Sequence, residues 1–352
     1  MPLDEPAWWY ADAPGAVAAC LAPVSALYGW IARIRYQRVT PYRSRLPVVC
    51  VGNLTAGGTG KTPLTLALCE RLLGAGLRPA VLTRGYGGRL AGPHWVRASD
   101  TAADVGDEAL LLARSSPTLV ARDRGAGARA VEAGATAADV IVMDDGLQNP
   151  QLAKDLAFAL VDGGRGLGNG RVIPAGPLRA PLEFQLALVD AVVVNEAAGG
   201  AGEATALWLR QRFGGPVLRC ATVPAGDTAW LKRQRVIAWA GIGHPQRFFA
   251  MLRALGAALA EAIPFRDHQR LGEADARRLL ALAREHGALL VSTEKDLARI
   301  ASGTGALAEL AAATRSLPIR LHFAEQDAER LAALLDTAVR GRQGQSARSF
   351  RP

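Results

Sequence analysis

The chain has 352 residues, half of them hydrophobic and 21% charged, which excludes wholesale disorder and leaves room for one large α/β unit or two modest ones. A formal net charge of +9 favours anionic partners, but no aromatic-interleaved basic stripe, zinc finger or RNA-binding signature is present, so nucleic acid is not an expected partner. Cys20, Cys50, Cys69 and Cys220 are too dispersed for a zinc site and read as reduced thiols of a cytoplasmic protein.

Residues 13–32 carry no charge, a run just long enough to cross a bilayer core as a helix, though it is alanine-rich and interrupted by Pro14 and Pro23. Asp4, Glu5 and Asp12 precede it, where a secretory signal would carry positive charge. Trp8, Trp9 and Tyr10 lie before the run and Tyr28 and Trp30 near its end, followed by Arg33, Arg35, Arg38, Arg43 and Arg45. That order is typical of a membrane–water boundary with its basic flank on the cytoplasmic side. Residues 1–45 are therefore expected to form an apolar, membrane-associating helical segment; a helix packed on the protein's own core is the competing reading.

From residue 46 onward short β-branched runs alternate with helical patterns, which predicts a mostly parallel sheet with helices on both faces. Strands are expected at Val48–Gly52, Ala80–Thr83, Thr118–Ala121, Val140–Met143, Ala157–Val161 and Ala191–Val194. Helices are expected at Lys61–Leu73, Glu108–Ala113 and Gly127–Ala133. After Pro216 and Pro224 a second set begins, with strands at Val236–Ala240, Ala288–Ser292 and Ile319–Phe323 and helices at Gln246–Leu255, Ala274–Glu285 and Ala324–Val339. The pattern gives a nucleotide-binding core over 46–225, a smaller α/β domain over 226–340, and a disordered tail at 341–352.

Thr55-Ala56-Gly57-Gly58-Thr59-Gly60-Lys61-Thr62 matches the P-loop pattern except that Thr55 stands at the first glycine. Glycines let amides converge on phosphate oxygens, the following helix aims its positive end at them, Lys61 adds a charge, and the Thr62 hydroxyl is placed to ligate Mg²⁺. The strand at Val140–Met143 ends in Asp144-Asp145-Gly146, the position from which a P-loop protein holds its metal. Adjacent acids point to opposite sides, so Asp144 is the metal ligand and Asp145 faces another part of the site. Thr55 to Thr62 and ATP with Mg²⁺ follow as the nucleotide site and its cofactors.

The segment from Val51 to Pro63 resembles the tetraacyldisaccharide 4′-kinase family of P-loop kinases. Further family-like segments occur in order: Thr83-Arg84-Gly85-Tyr86, Gly106-Asp107-Glu108, Arg122-Asp123-Arg124, Asp144 to Gln148, Pro174 to Arg179, Ala240 to Pro245, Asp267-His268 and Thr293 to Asp296. The resemblance implies transfer of the ATP γ-phosphate to the 4′-hydroxyl of a lipid A disaccharide 1-phosphate, at the cytoplasmic face of the inner membrane of a Gram-negative cell. It implies Asp107 as base with His268 as partner. Lys61 of the P-loop is expected as the catalytic cation, Arg84 and Arg124, just after candidate strands, are placed to clamp phosphates of ATP or of the sugar, and Asp145 and Gln148 are expected at the nucleotide site. By position alone, Asp107 would read as a helix-start acid and His268 as a loop histidine. Leu147, Asn149 and Ala180 depart from the family, which usually has an aromatic, a histidine and a glutamate there.

A P-loop ATPase switch of the membrane- or DNA-partitioning type is the main rival. Ala56 stands where that class carries its leading lysine, and Thr293-Glu294-Lys295-Asp296 lacks the spacing of a guanine-reading motif.

Overall fold

The computed structural model describes residues 5–11, 15–134, 136–196 and 201–348, so Asp4, Asp12, Pro14 and the last four residues of the expected tail lie outside it. In chain order the first strands are β1 (Val48–Asn53), β2 (Pro79–Thr83), β3 (His94–Trp95), β4 (Thr118–Val120), β5 (Val140–Met143), β6 (Leu156–Asp162), β7 (Ala191–Glu196) and β8 (Val217–Pro224). There follow β9 (Arg235–Ala240), β10 (Ala258–Pro264), β11 (Leu289–Ser292), β12 (Thr314–Ser316) and β13 (Ile319–Phe323). A nine-stranded sheet runs β13-β8-β7-β6-β1-β5-β2-β4-β3, parallel except for its two edge strands, and a four-stranded sheet runs β10-β9-β11-β12.

Why the central strands read as unbroken apolar runs is visible in β1. Val48 and Cys50 enter the core on one face, Val49 and Val51 the core on the other, and all four are buried. On the N-terminal side of the chain lie α1 (Ala16–Cys20) and α2 (Ala22–Arg38); α3 (Lys61–Gly74) packs Leu64, Leu68 and Leu72 on the Val49 face. Then come α4 (Ala102–Val105), α5 (Asp107–Ala113), α6 (Arg124–Glu132), α7 (Leu182–Leu186) and α8 (Ala201–Arg210), of which α6, α7 and α8 cover the Val48 face. The small sheet is covered by α9 (Pro245–Ala254) on one side and by α10 (Glu273–His286) and α12 (Ala306–Ala313) on the other, with α11 (Glu294–Ile300) after β11. The last helix is α13 (Glu325–Arg348).

β1 lies between β5 and β6, and chain order reverses across it, so the loops after β1 and β5 open at one edge, at the switch point where parallel sheets bind ligands.

The expected second domain of 226–340 needs correction at its C-terminal end. β13 pairs antiparallel with β8, Phe323 opposite Cys220, and α13 buries Leu331, Leu335 and Val339 against the α3 face of the large sheet. The chain returns because β8 would otherwise be an unpaired edge beside uncovered apolar surface. Residues 341–348, expected as disordered tail, continue α13. β8 escaped sequence reading because Pro216 flanks it and Pro224 ends it, both of which look like boundaries.

The expected apolar N-terminal helix is two helices, α1 and α2, meeting at Leu21. Among the described residues no helix is long and apolar enough to cross a membrane.

Since Leu331 is fully buried in the core of the large sheet, Leu331→Ala is expected to destabilise the nucleotide-binding unit by about 2–5 kcal/mol. Urea unfolding followed by a probe in that unit checks this; an unchanged midpoint would place α13 outside the cooperative core.

Candidate active site

The loop after β1 is tied down from outside. Thr55 bridges Leu178, Ala56 N donates to Pro177 O at 2.7 Å, and Arg179 Nε donates to Thr55 O at 3.1 Å. Gln148 Nε2 donates to Asn53 O and to Gln185 Oε1, both at 2.8 Å, and Gln185 Nε2 donates to Leu54 O and Ala180 O. With the strand exit held this way, the loop turns through Gly57 (φ 92°) and Gly60 (φ 95°), conformations that side chains rarely adopt, and α3 starts at once with Lys61. The tip reaches the second unit: a side chain at Gly58 would touch the Gly243 backbone at 3.4 Å.

Beside the loop, Asp145 takes a positive φ of 47° and accepts from Arg179 Nη1 at 2.8 Å, with Lys61 Nζ 3.8 Å away. Burial opposes its ionisation, but Lys61 and Arg179 outweigh burial and hold its carboxyl well below the ordinary range. Asp144 points the other way and is buried. Its Oδ1 accepts from Thr65 Oγ1 at 2.8 Å, its Oδ2 from Thr83 Oγ1 at 3.4 Å, and its carboxyl is pushed up to about 6 by burial and by the charges of Glu108 and Asp145.

Across the mouth, α5 begins with Asp107. Its Oδ1 accepts from Glu108 N at 2.9 Å; its Oδ2 accepts from Arg299 Nε at 3.1 Å and Nη2 at 2.6 Å, and lies 3.5 Å from His268 Nδ1. Burial raises the Asp107 carboxyl, yet the His268 hydrogen bond and the charges of Lys295 and Arg299 bring it far below the usual value. His268 also has positive φ, at 58°, and packs edge-on against Tyr86 at 5.0 Å. Lys295 pairs with Glu108 at 3.0 Å and approaches His268 Nε2 at 3.3 Å.

The structure thus brings together Lys61, Asp144 and Asp145 on one side of the site and Asp107 with His268 on the other, linked through Glu108. Arg84 is exposed just after β2. Arg124 departs from expectation: it turns inward, is 2% exposed, and donates to the carbonyls of Ala121 and Asp144. Its guanidinium braces the end of β5. Gln148 likewise has its amide on the Asn53 carbonyl, holding the entry to the loop. Sequence reading missed Arg179, Glu108 and Arg299 as parts of this charge array, and left Lys295 without a role. Arg179 and Glu108 sit inside motifs already noted; nothing local marks Arg299.

A family model described as tetraacyldisaccharide-1-P 4′-kinase matches residues 17–340. The tetraacyldisaccharide 4′-kinase of Methylobacterium sp. (strain 4-46) is 48% identical over 345 residues, covering 97% of this chain and all of that one. That of Dinoroseobacter shibae is 48% identical over 339 residues, covering 95% and 97%. The chain belongs to the tetraacyldisaccharide 4′-kinase family. LpxK from Aquifex aeolicus, solved in complex with ATP, shares the fold with a TM-score of 0.70 at 24% identity, over 92% of this chain and 99% of that one.

At Leu147 and Asn149, two positions expected to differ from the family pattern, the structure shows what the side chains do. Leu147 is fully buried, its Cβ 2.4 Å from where a side chain at Gly52 would lie, so the glycine and leucine pack as a pair. Asn149 accepts from Gln151 N and donates to its side chain, and Lys154 Nζ donates to the Leu147 and Asn149 carbonyls, so this turn is closed on itself.

A divalent cation fits Asp144. Its carboxylate is buried among like charges, and a cation between it and phosphate oxygens would relieve both. Mg²⁺ takes one or two protein oxygens and completes its shell with phosphates and water.

Because folding raises the Asp144 value, its charged form opposes folding: the penalty is absent below about pH 4, where the acid is protonated in both states, and grows as pH rises towards 6. Asp144→Asn is therefore expected to raise the melting temperature of the nucleotide-free protein at pH 7.5, with the gain vanishing near pH 4. Scanning calorimetry at both pH values checks it, and a variant less stable at pH 7.5 would contradict it.

Proposed function

We propose that this chain transfers the γ-phosphate of ATP, with Mg²⁺, to the 4′-hydroxyl of tetraacyldisaccharide 1-phosphate, the phosphorylation step of lipid A biosynthesis, at the cytoplasmic face of a Gram-negative inner membrane. The reading rests above all on one juxtaposition: a P-loop lysine paired with Asp145 on one side of a cleft and an ionised Asp107 beside His268 on the other. It is supported by family membership and by the names of the relatives.

Mg²⁺ held by Asp144 and the Thr62 hydroxyl would draw charge from the β- and γ-phosphate oxygens. The amides of Gly57 to Thr62 and the Lys61 ammonium grip the same oxygens; as nucleotide arrives, Lys61 exchanges Asp145 for phosphate, and Asp145 keeps Arg179 as its partner. The acceptor oxygen attacks phosphorus, the bond from the γ-phosphorus to the bridging oxygen breaks, and ADP leaves. The hydroxyl proton passes to the Asp107 carboxylate. Asp107 is a weak base, held ionised by its neighbours. That suffices for a loose transition state, in which the proton becomes acidic late. Arg84, exposed beside the cleft, adds a cation for a phosphate of nucleotide or sugar.

The lipid explains the inverted polarity of α1 and α2. Ala18, Ser25 and Gly29 face inward: Ser25 Oγ donates to Val172 O at 2.7 Å, and a side chain at Gly29 would meet Pro181 at 3.1 Å. Val17, Val24, Leu27, Tyr28, Trp30 and Ile31 face outward and are exposed, with Arg35 and Arg38 in the last turn of α2. An apolar outer face ending in arginines suits a helix lying in the interface of an anionic membrane.

With γ-labelled ATP, label is expected on the glycolipid by thin-layer analysis; release as inorganic phosphate alone would indicate an ATPase switch. Lys61→Ala should abolish transfer, and Asp107→Ala should lower kcat about 10²–10⁴-fold with little change in nucleotide affinity. Full turnover in Asp107→Ala would remove it as the base. For the membrane face, the double variant Leu27→Asp and Trp30→Asp should lose flotation with vesicles containing anionic lipid while remaining folded; unchanged flotation would exclude that face.

A further inference from the structure

Arg299 lies on α11 of the second unit, 192 residues from the carboxylate it grips. Its Nε and Nη2 both donate to Asp107 Oδ2, at 3.1 and 2.6 Å, while Nη1 donates to Asp296 Oδ1 at 2.8 Å and to Gly241 O at 3.2 Å. The side chain is 7% exposed. Asp296 is itself immobilised: it is fully buried, it accepts from Gly241 N through both oxygens, and it accepts from Thr293 Oγ1 at 2.7 Å. The guanidinium is therefore a rigid planar bracket. One edge is anchored in the second unit and the other holds an acid of the first.

Of the other side chains around Asp107, His268 also faces Oδ2, while Lys295 and Asp296 are engaged by other partners. On α5, Glu108 gives its N–H to Oδ1 and its carboxylate to Lys295. From the loop after β10, His268 sits at 3.5 Å from Oδ2, and Asp267 lies beyond it, 3.8 Å from His268 Nε2. From α11, Lys295 serves Glu108, and Asp296 serves Arg299 itself. Arg299 pins Oδ2 with two donors while the Glu108 N–H holds Oδ1, and the two together set the plane and rotation of the Asp107 carboxylate; a lysine ammonium in place of Arg299 would lack the planar fork that places two donors on Oδ2.

We propose that Arg299 is a positioning residue for phosphoryl transfer, fixing the Asp107 carboxylate towards the acceptor hydroxyl so that the base is aligned only while α11 is docked on α5. The proposal rests on the reading of Asp107 as the base. Arg299 spends its donors on Asp107, Asp296 and the Gly241 carbonyl, so it acts through Asp107, and small misplacements of a reacting group are costly.

The test uses the full chain and five proteins: wild type, Arg299→Ala, Arg299→Lys, Asp107→Asn, and the double variant Asp107→Asn with Arg299→Ala. Label transfer to the glycolipid, ATP binding by calorimetry and the melting temperature are measured for each. Arg299→Ala is expected to lose about 10²-fold in kcat with ATP affinity retained. Arg299→Lys, which keeps charge and tether but not the fork, should fall between it and wild type. Methylguanidine should restore part of the Arg299→Ala rate, and adding Arg299→Ala to Asp107→Asn should cost little further. Wild-type turnover in folded Arg299→Lys, or independent multiplication of the two losses in the double variant, would overturn the proposal while leaving Asp107 as base. Should Arg299→Ala fail to fold, Arg299→Lys decides alone. Full activity in Asp107→Asn would instead overturn the base assignment and this proposal with it.

Discussion

The Arg179–Asp145 ion pair ties the exit of β1 to the exit of β5, and the rest of the site is arranged around that tie. Arg179 reaches the Thr55 carbonyl with one nitrogen and Asp145 with the others, so the loop carrying Lys61 and the strand end carrying Asp144 share one bracket. A loop that must point its amides at a ligand has few of its own hydrogen bonds to hold it. The neighbouring chain at Pro177, Leu178 and Gln185 supplies them instead.

Four acids, Asp107, Glu108, Asp144 and Asp145, lie within reach of one another's charge, and their behaviour depends on which cation each has. Asp107 has Arg299 and His268, Glu108 has Lys295, and Asp145 has Lys61 and Arg179; all three are held ionised. Asp144 is bonded only to hydroxyls and lies among like charges, so it alone is driven the other way. That asymmetry is why Asp144 is the residue proposed to hold a cation.

Two of the three non-glycine residues with positive φ among the described residues, Asp145 and His268, belong to this array. Each lies in a charge contact that holds it there, as expected where local strain is maintained by surrounding structure. The N-terminal helices use a related compromise: small residues face the protein so that the backbone approaches closely, and the large apolar side chains are left exposed.

The local order of elements was legible from the residues alone, because a P-loop is a contiguous strand, turn and helix, and because a buried parallel strand shows its apolar run and its terminal acids without reference to anything distant. Thr55 to Thr62 and Asp144-Asp145 could be placed at one sheet edge on that basis, and the family resemblance extended the reading to Asp107 and His268. What tertiary structure alone decided were the long-range meetings. Arg124 looks like a phosphate clamp from its position after a strand, but packing turns it into the core; Ile319–Phe323 looks like part of the second sheet, but pairs with β8. Arg299 has no local signature, since its role exists only where α11 meets α5. Spacing along the chain encodes contacts that a helix or turn can make by itself, whereas the partner of a side chain across two packed units is set by which surfaces bury each other.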